Sequence, residues 1–427
     1  MIETDPSPFS NQKLPLTTGV VVIGGGVIGV GTALALAHQG VAVTLLEKGR
    51  IAAEQSSRNW GWCRTAGRDL AEVPLAALGV RMWEEMGPEV GFHRAGSVLV
   101  CETAAEMDAH AAWLETARDY QLSSRLLNAD ETARLLPESG RRWAGALFTP
   151  ADGRAEPSRA VAALAAAARR LGVTILEGCA ARGLDLMAGR VRGVVTERGT
   201  IGCDAAVLAG GAWSRLFCGN NGVDFPQLTV LGSVMRTAPL DGPAPSVGGS
   251  RFAFRRRQDG GYTIAQRNAT ETLITPESFR QFRRFAPALV REWRELRLRF
   301  SPRAFAAEWR MPRRWALDEP TPFEATRILN PTPNPANLAQ GRAALIRAFP
   351  GFAPMQVTAT WGGMIDVTPD GVPVIDQVSA LPGFYLASGF SGHGFGIGPA
   401  AGRLMADIVT GAPPVVDPAP FRMARFR

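Results

Sequence analysis

Apolar residues recur along this chain with two different periods, and each change of period marks an element. Val20–Ile23 is a short β-branched run bounded by glycine, as in a parallel strand buried on both faces. A glycine cluster follows, then an Ala/Leu-rich stretch that reads as a helix from Val27, then a second apolar run over 41–46. Helices are predicted over 75–86, 104–120, 128–136 and 157–171, the last with Pro157 in its first turn and Gly172 past its end. Strands are predicted over 96–102, 143–149, 173–177, 191–197, 200–203 and 204–209. Alternation over 229–237, 252–256 and 262–266 predicts a more exposed, antiparallel sheet. A helix over 339–348 is followed near the end by a strand over 383–387, a second glycine loop and a helix closed by Gly411, with Pro399 in its first turn.

Chemistry enters at the first glycine cluster. Gly24, Gly26 and Gly29 form G-x-G-x-x-G: a tight turn, a close approach to pyrophosphate, and close packing of helix on strand. The helix start aims unpaired N–H groups at that phosphate, and Glu47 stands where an acid takes ribose hydroxyls. Strand, glycines, helix, strand and acid in register predict dinucleotide binding; the motif alone does not separate FAD from NAD. Beyond Glu47, Ser56, Ser57, Arg58 and Asn59 offer donors beside a phosphate, and Trp60 and Trp62 could wall a flat ring or simply pack. Gly210 and Gly211, at the end of a buried strand, lie where open α/β sheets bind ligands. The second glycine loop places another positive helix end where a reduced flavin would gain negative charge.

The fold class is therefore α/β (α+β): a Rossmann-like dinucleotide-binding domain, FAD-binding on the resemblance given below, with a discontinuous substrate domain built on a mixed or antiparallel sheet. The FAD-binding part is assigned to 17–92, 150–225 and 356–415, the substrate part to 93–149 and 226–355, and the tails to 1–16 and 416–427.

Size and charge change this picture little. A chain of 427 residues exceeds one comfortable core, and a net charge of +7 permits an anionic cofactor or membrane face without requiring one. Five cysteines without C-x-x-C pairing argue against a disulfide framework or a zinc site, so no metal is expected. Residues 1–16 read as a disordered lead, not a signal peptide, and no apolar run is long enough to span a bilayer. These readings place the protein in the cytoplasm, or peripheral to the inner membrane. The arginine- and aromatic-rich segment 278–315, amphipathic and broken by Pro287, Pro302 and Pro312, is read first as solvated helix whose aromatic side covers the substrate domain. Attachment to an anionic membrane is the alternative, and nucleic acid is not the expected partner.

The VVVIGGGVIG opening, SSR, DAAVLAGGAWS, TPDGVPVID and GFYLASGFSGHGFGIGPAAG together resemble the D-amino-acid oxidase superfamily of flavin-dependent amine and amino-acid oxidoreductases. EKGRIAAEQSSR, AGGAWSRLF and the stretch around WALDEPTPFEATR look most like bacterial L-amino-acid deaminases, without their N-terminal membrane segment. The resemblance implies FAD, an amino-acid substrate oxidised to an imino acid that hydrolyses to a 2-oxo acid and ammonia, and oxygen or a quinone as electron acceptor. Secondary-amine or opine oxidation, or action on a tRNA-linked substrate, are the alternatives, and an oligomer is left open. Gly363 falls where sarcosine oxidases carry a covalent flavin cysteine, which implies non-covalent FAD; Gly396 replaces a substrate-binding lysine. The cofactor-facing set is Gly24, Gly26, Val27, Ile28, Gly29, Glu47, Lys48, Gln55, Ser56, Ser57, Arg58, Asn59, Ala180, Gly210, Gly211, Trp213, Gly389, Gly392, His393, Gly394, Gly396 and Ile397. For the substrate carboxylate Arg255 is the first choice, with neighbouring Arg256 and Arg257 open and Arg64 second. His393 and Trp62 complete the candidate catalytic group.

Overall fold

The computed structural model describes residues 12–267, 270–292 and 296–426; most of the predicted lead lies outside them. Val20–Ile23 runs parallel between Val43–Leu46 and Ala205–Leu208, with all four of its residues buried. Around it the strand order is Val374–Gln377, Phe384–Ser388, Ala205–Leu208, Val20–Ile23, Val43–Leu46, Thr174–Leu176. The pairing is parallel except at the outermost Val374–Gln377. Apolar runs that looked continuous in the sequence are so because both faces of this sheet are covered. Helices Val27–His38, Val73–Met86, Pro157–Arg170 and Gly394–Thr410 pack on one face. On the other lie helix Ser214–Asn220 and a three-stranded antiparallel sheet, Ala181–Met187, Arg190–Thr196 and Gly199–Gly202. Ala181–Met187 was not among the predicted strands: Arg182, Gly183 and Asp185 interrupt its apolar positions, and Leu186 and Met187 at its end are exposed.

Two helices of this layer touch almost backbone to backbone. A Cβ on Gly402 would lie 2.4 Å from the Gly31 carbonyl carbon. Pro399, within Gly394–Thr410, brings no N–H for the carbonyl of Phe395. The Trp83 indole N–H donates there instead, at 3.1 Å, and also to Gly396 at 3.1 Å.

The second part is a ten-stranded mixed sheet that includes Leu228–Thr237, Ala253–Arg256 and Tyr262–Ala265, as the alternation predicts. Val357–Val367 pairs along the whole of Leu228–Thr237, so the segment from 357 to 367, assigned above to the FAD-binding part, belongs to this sheet. Helix Pro335–Ala348 starts earlier than predicted, because Asn334 caps it by accepting from the amides of Ala336 and Asn337.

The basic segment is not one helix. It divides into Pro276–Arg280, Phe282–Glu292, an edge strand Leu296–Phe300 parallel to Thr270–Ile274, and Pro302–Arg310; 293–295 lie outside the described residues. Its aromatic side does not cover the substrate sheet either: Phe279, Phe282, Phe300 and Trp309 are 66%, 56%, 61% and 68% exposed. All five cysteines are buried and free. Among the described residues, no helix is long and apolar enough to cross a membrane and no side-chain cluster is suited to a metal ion.

Gly402→Ala should force the two helices apart at a contact that has no room for a methyl group. It is expected to cost about 1–3 kcal/mol, read as a lower midpoint of thermal unfolding.

Candidate active site

A cavity of about 500 Å³ runs from the glycine cluster of the parallel sheet to the underside of the large sheet. At its first end Gly24 has φ of +113°, and a Cβ there would lie 2.3 Å from the Ala209 carbonyl oxygen. A Cβ on Gly29 would lie 1.9 Å from the Gly24 oxygen, so Gly29 serves the close packing of helix on strand, behind the cavity wall. The Val27 amide donates to Ser56 Oγ at 2.9 Å. The next amides of that first turn have no intrahelical acceptor and are free for a phosphate.

Glu47 accepts from the amides of Gly25 at 2.7 Å and Gly49 at 2.6 Å, yet burial pushes its carboxyl up to about 7. A buried acid short of donors is matched by ligand hydroxyls, which a ribose supplies. The glycine cradle, the open helix end and this acid fit an adenine dinucleotide such as FAD.

Several predicted donors line the cavity but are occupied. Lys48 Nζ donates to Glu54 Oε1 at 2.7 Å and to the carbonyls of Thr326 and Arg327, both at 2.9 Å, while standing 4.6 Å over the Trp213 ring. Arg58 donates to Asn330 Oδ1 at 2.6 Å and to the Gly362 carbonyl at 2.9 Å. These two cations fasten the 326–330 stretch and the large sheet over the nucleotide end. The Asn59 side chain closes its own turn, donating to the Ser56 carbonyl at 2.8 Å and accepting from the Gly61 amide at 2.7 Å. Gln55, Ile28, Gly210, Gly211, Gly392, Gly394 and Gly396 also line the cavity. Ser57, Ala180, Gly389 and Ile397 do not; the Ala180 amide donates to Glu197 at 2.6 Å and the Gly389 amide to Asp366 at 2.7 Å.

At the other end three guanidiniums, Arg64, Arg68 and Arg267, line the cavity with Trp60, Trp62, Gln266 and His393. The indoles of Trp60 and Trp62 meet edge to face with centroids 5.8 Å apart. Burial, then the repulsion of Arg68 and Arg267, holds Arg64 well below the ordinary arginine range; Asp152 and Glu72 offset part of this. Charges of one sign so concentrated favour an anion between them.

Arg255, the first choice for that anion, is not there. It is 1% exposed and outside the cavity lining, with Nη1 on Glu156 Oε1 at 2.7 Å, Nη2 on Oε2 at 3.0 Å and Nε on the Trp60 carbonyl. A buried guanidinium whose fork is filled by a carboxylate, away from the cavity, does not face a ligand. Arg256 and Arg257 also fall outside the lining, the latter paired with Asp259. Sequence reasoning missed Arg68, Arg267 and Gln266. The signal for Arg267 was the one used for Arg255, an arginine at the end of an alternating strand, here Tyr262–Ala265.

Comparison with known proteins agrees with this geometry. A family model described as "DAO: FAD dependent oxidoreductase" matches residues 19–408. The structure of an L-amino acid deaminase from Proteus myxofaciens, in complex with anthranilate, superposes with a TM-score of 0.94 at 33% identity, covering 99% of this chain and 96% of that one. Glycine oxidase of Pseudomonas aeruginosa is 27% identical over 421 residues, 95% of this chain and 98% of its own length. 4-methylaminobutanoate oxidase (formaldehyde-forming) of Paenarthrobacter nicotinovorans is 27% identical over 98% of this chain, which spans 46% of that protein.

Two arginine variants should separate structure from binding. Arg255→Met strands Glu156 in the interior and is expected to cost about 3–5 kcal/mol in denaturant unfolding. Arg64→Met should instead weaken a carboxylate ligand about 100-fold, measured by absorbance titration of the bound flavin, with a much smaller stability loss.

Proposed function

The chain belongs to the DAO family of FAD-dependent oxidoreductases, and we propose that it catalyses the oxidative deamination of an amino acid. The observation that carries this reading is a single cavity joining the dinucleotide cradle at Gly24 to Val27 with the guanidiniums of Arg64, Arg68 and Arg267. A substrate carboxylate relieves the mutual repulsion of those cations. Arg267 places Nη1 near Gly248, where the Trp62 ring edge also lies, so carboxylate and indole wall meet at one point. A planar guanidinium that grips a carboxylate in two hydrogen bonds fixes Cα in direction as well as position. The tryptophan pair then bounds the side chain and excludes water. Bound FAD supplies a two-electron acceptor for the hydride that leaves Cα. The imino acid so formed hydrolyses in water to a 2-oxo acid and ammonia, and oxygen or a quinone takes the electrons onward.

FAD is held without a covalent bond. Gly363 lines the cavity and carries no nucleophile, and a Cβ there would stand 3.3 Å from Arg58 Cβ. Retention therefore rests on the cradle and on the 326–330 stretch fastened by Lys48 and Arg58.

The surface formed by 276–291 and 296–310 supports peripheral attachment to an anionic membrane. Phe305 meets Phe279, Phe300 and Trp309 at centroid distances of 6.4, 5.8 and 6.3 Å, a mostly outward-facing aromatic cluster. Arg283, Arg303, Arg310 and Arg314 are exposed around it. Aromatic rings seat in the headgroup layer while guanidiniums meet lipid phosphates.

Anaerobic addition of single L- and D-amino acids, glycine and sarcosine should bleach the flavin with one set of substrates, and Arg267→Met should lower kcat/KM for that set about 100-fold or more. A flavin that no amino acid bleaches refutes the reading. Co-sedimentation with phosphatidylglycerol vesicles, lost in about 0.5 M salt and weakened in Trp309→Ser, is expected; equal binding to phosphatidylcholine, or none to either, refutes attachment to an anionic membrane.

A further inference from the structure

Behind the cavity wall, at the start of helix Val73–Met86, a carboxylate sits with no access to water. Glu72 is 0% exposed, and its Oε2 lies 3.0 Å from Nδ1 of His393. His393 precedes helix Gly394–Thr410, lines the cavity and leaves 34% of its side chain accessible. The imidazole therefore has a buried end on Glu72 and an accessible end, Nε2, with no hydrogen-bond partner among the described residues. Arg68 Nη1 stands 4.0 Å from the same Glu72 oxygen, and neither Arg68 Nη1 nor Glu72 Oε1 has a hydrogen-bond partner. The near contact of Glu72 is thus the imidazole and not the guanidinium.

An ionised carboxylate only accepts, so the proton between Glu72 and His393 sits on Nδ1 and the neutral ring presents a lone pair at Nε2. Burial would raise the pKa of Glu72, but His393, Arg68 and Arg64 together hold it below its ordinary value, so it is ionised at neutral pH. For His393, burial and then Arg68 lower the pKa, with Arg64 adding to this and Glu72 opposing it.

We propose that His393 takes up the proton that a substrate ammonium group must lose before its Cα–H bond can break, and that Glu72 is the positioning residue that keeps Nε2 open for it. The proposal rests on the amino-acid reading of the cavity. An ammonium nitrogen has no lone pair to expel a hydride from Cα. When its N–H bond breaks, the electron pair stays on nitrogen, an Nε2–H bond forms, and the imidazolium charge lies against Glu72. Arg64, Arg68 and the positive end of Gly394–Thr410 oppose that charge, and Glu72 is the acid that offsets them.

The sign of the pH dependence follows. His393 accepts a proton only when neutral, so flavin reduction slows as pH falls through its pKa. Glu72→Gln removes the contribution that raises this pKa and should move the acid limb to lower pH. The amide can donate to Nδ1 as well as accept from it, so the ring proton is no longer confined to Nδ1 and the limiting rate falls about tenfold or more.

The test uses flavin-loaded protein. With four histidines in the chain, 15N NMR can assign the ring proton of His393, expected on Nδ1 in the wild type and shared between Nδ1 and Nε2 in Glu72→Gln. His393→Gln should slow the limiting rate of anaerobic flavin reduction about 100-fold and abolish the acid limb. Binding of benzoate, a carboxylate with no amine, should stay within about threefold in both variants. A wild-type ring proton on Nε2, or an unchanged rate and acid limb in His393→Gln, overturns the proposal while leaving amino-acid oxidation intact. If Glu72→Gln does not fold, the wild-type tautomer and His393→Gln decide the matter. A wild-type flavin that no amino acid reduces overturns the functional reading, and this proposal with it.

Discussion

A bidentate ion pair between Arg255 and Glu156 holds the two parts of the molecule in register. Arg255 belongs to Ala253–Arg256 in the large sheet, and Glu156 stands at the start of Pro157–Arg170, which packs on the parallel sheet. The same guanidinium holds the Trp60 carbonyl, and a Cβ on the intervening Gly61 would lie 2.6 Å from its Nε. One side chain thus sets the distance between sheet, helix and the loop that carries Trp60, Trp62 and Arg64. Two charges so far from water are tolerable only when paired and fully hydrogen-bonded, and that condition leaves no freedom for a ligand.

With that frame in place, the electrostatics of the cavity follow from which charged and polar groups line it. At the nucleotide end, the amides of Val27–His38 and a carboxyl raised to about 7 by burial await phosphate and hydroxyls. At the substrate end, Arg64, Arg68 and Arg267 crowd together with only partial compensation from Glu72 and Asp152. Cations of the chain that could have served the cofactor, Lys48 and Arg58, are consumed in closing the 326–330 stretch over it. The division is physical: Lys48 and Arg58 hold the 326–330 stretch in place, while guanidiniums pressed against their like at one end of the cavity contribute affinity for an anion.

Local patterns were legible in the sequence to within a few residues. The parallel strands, the glycine turn, the proline-started helix and the alternating strands each declare themselves through short-range periodicity and steric need. The same holds for the glycine turn and its acid, since Gly24, Gly26 and Glu47 lie within one β-α-β unit and all line the cavity. The basic segment was misread because an amphipathic period says that one side is apolar, not that anything covers it. Its Leu296–Phe300 is a strand only because Thr270–Ile274 offers an edge.

By itself, then, the sequence determined the class of fold, the nucleotide cradle and the family resemblance, because these depend on residues close together in the chain. Which arginine lines the cavity was decided only in three dimensions. Arg255 and Arg267 both lie at the ends of neighbouring strands and have similar local surroundings in sequence. Glu156, 99 residues away from Arg255, neutralises that one, and Glu72, 321 residues from His393, orients the imidazole. Partnership between distant charges is a property of packing, and no local pattern encodes it.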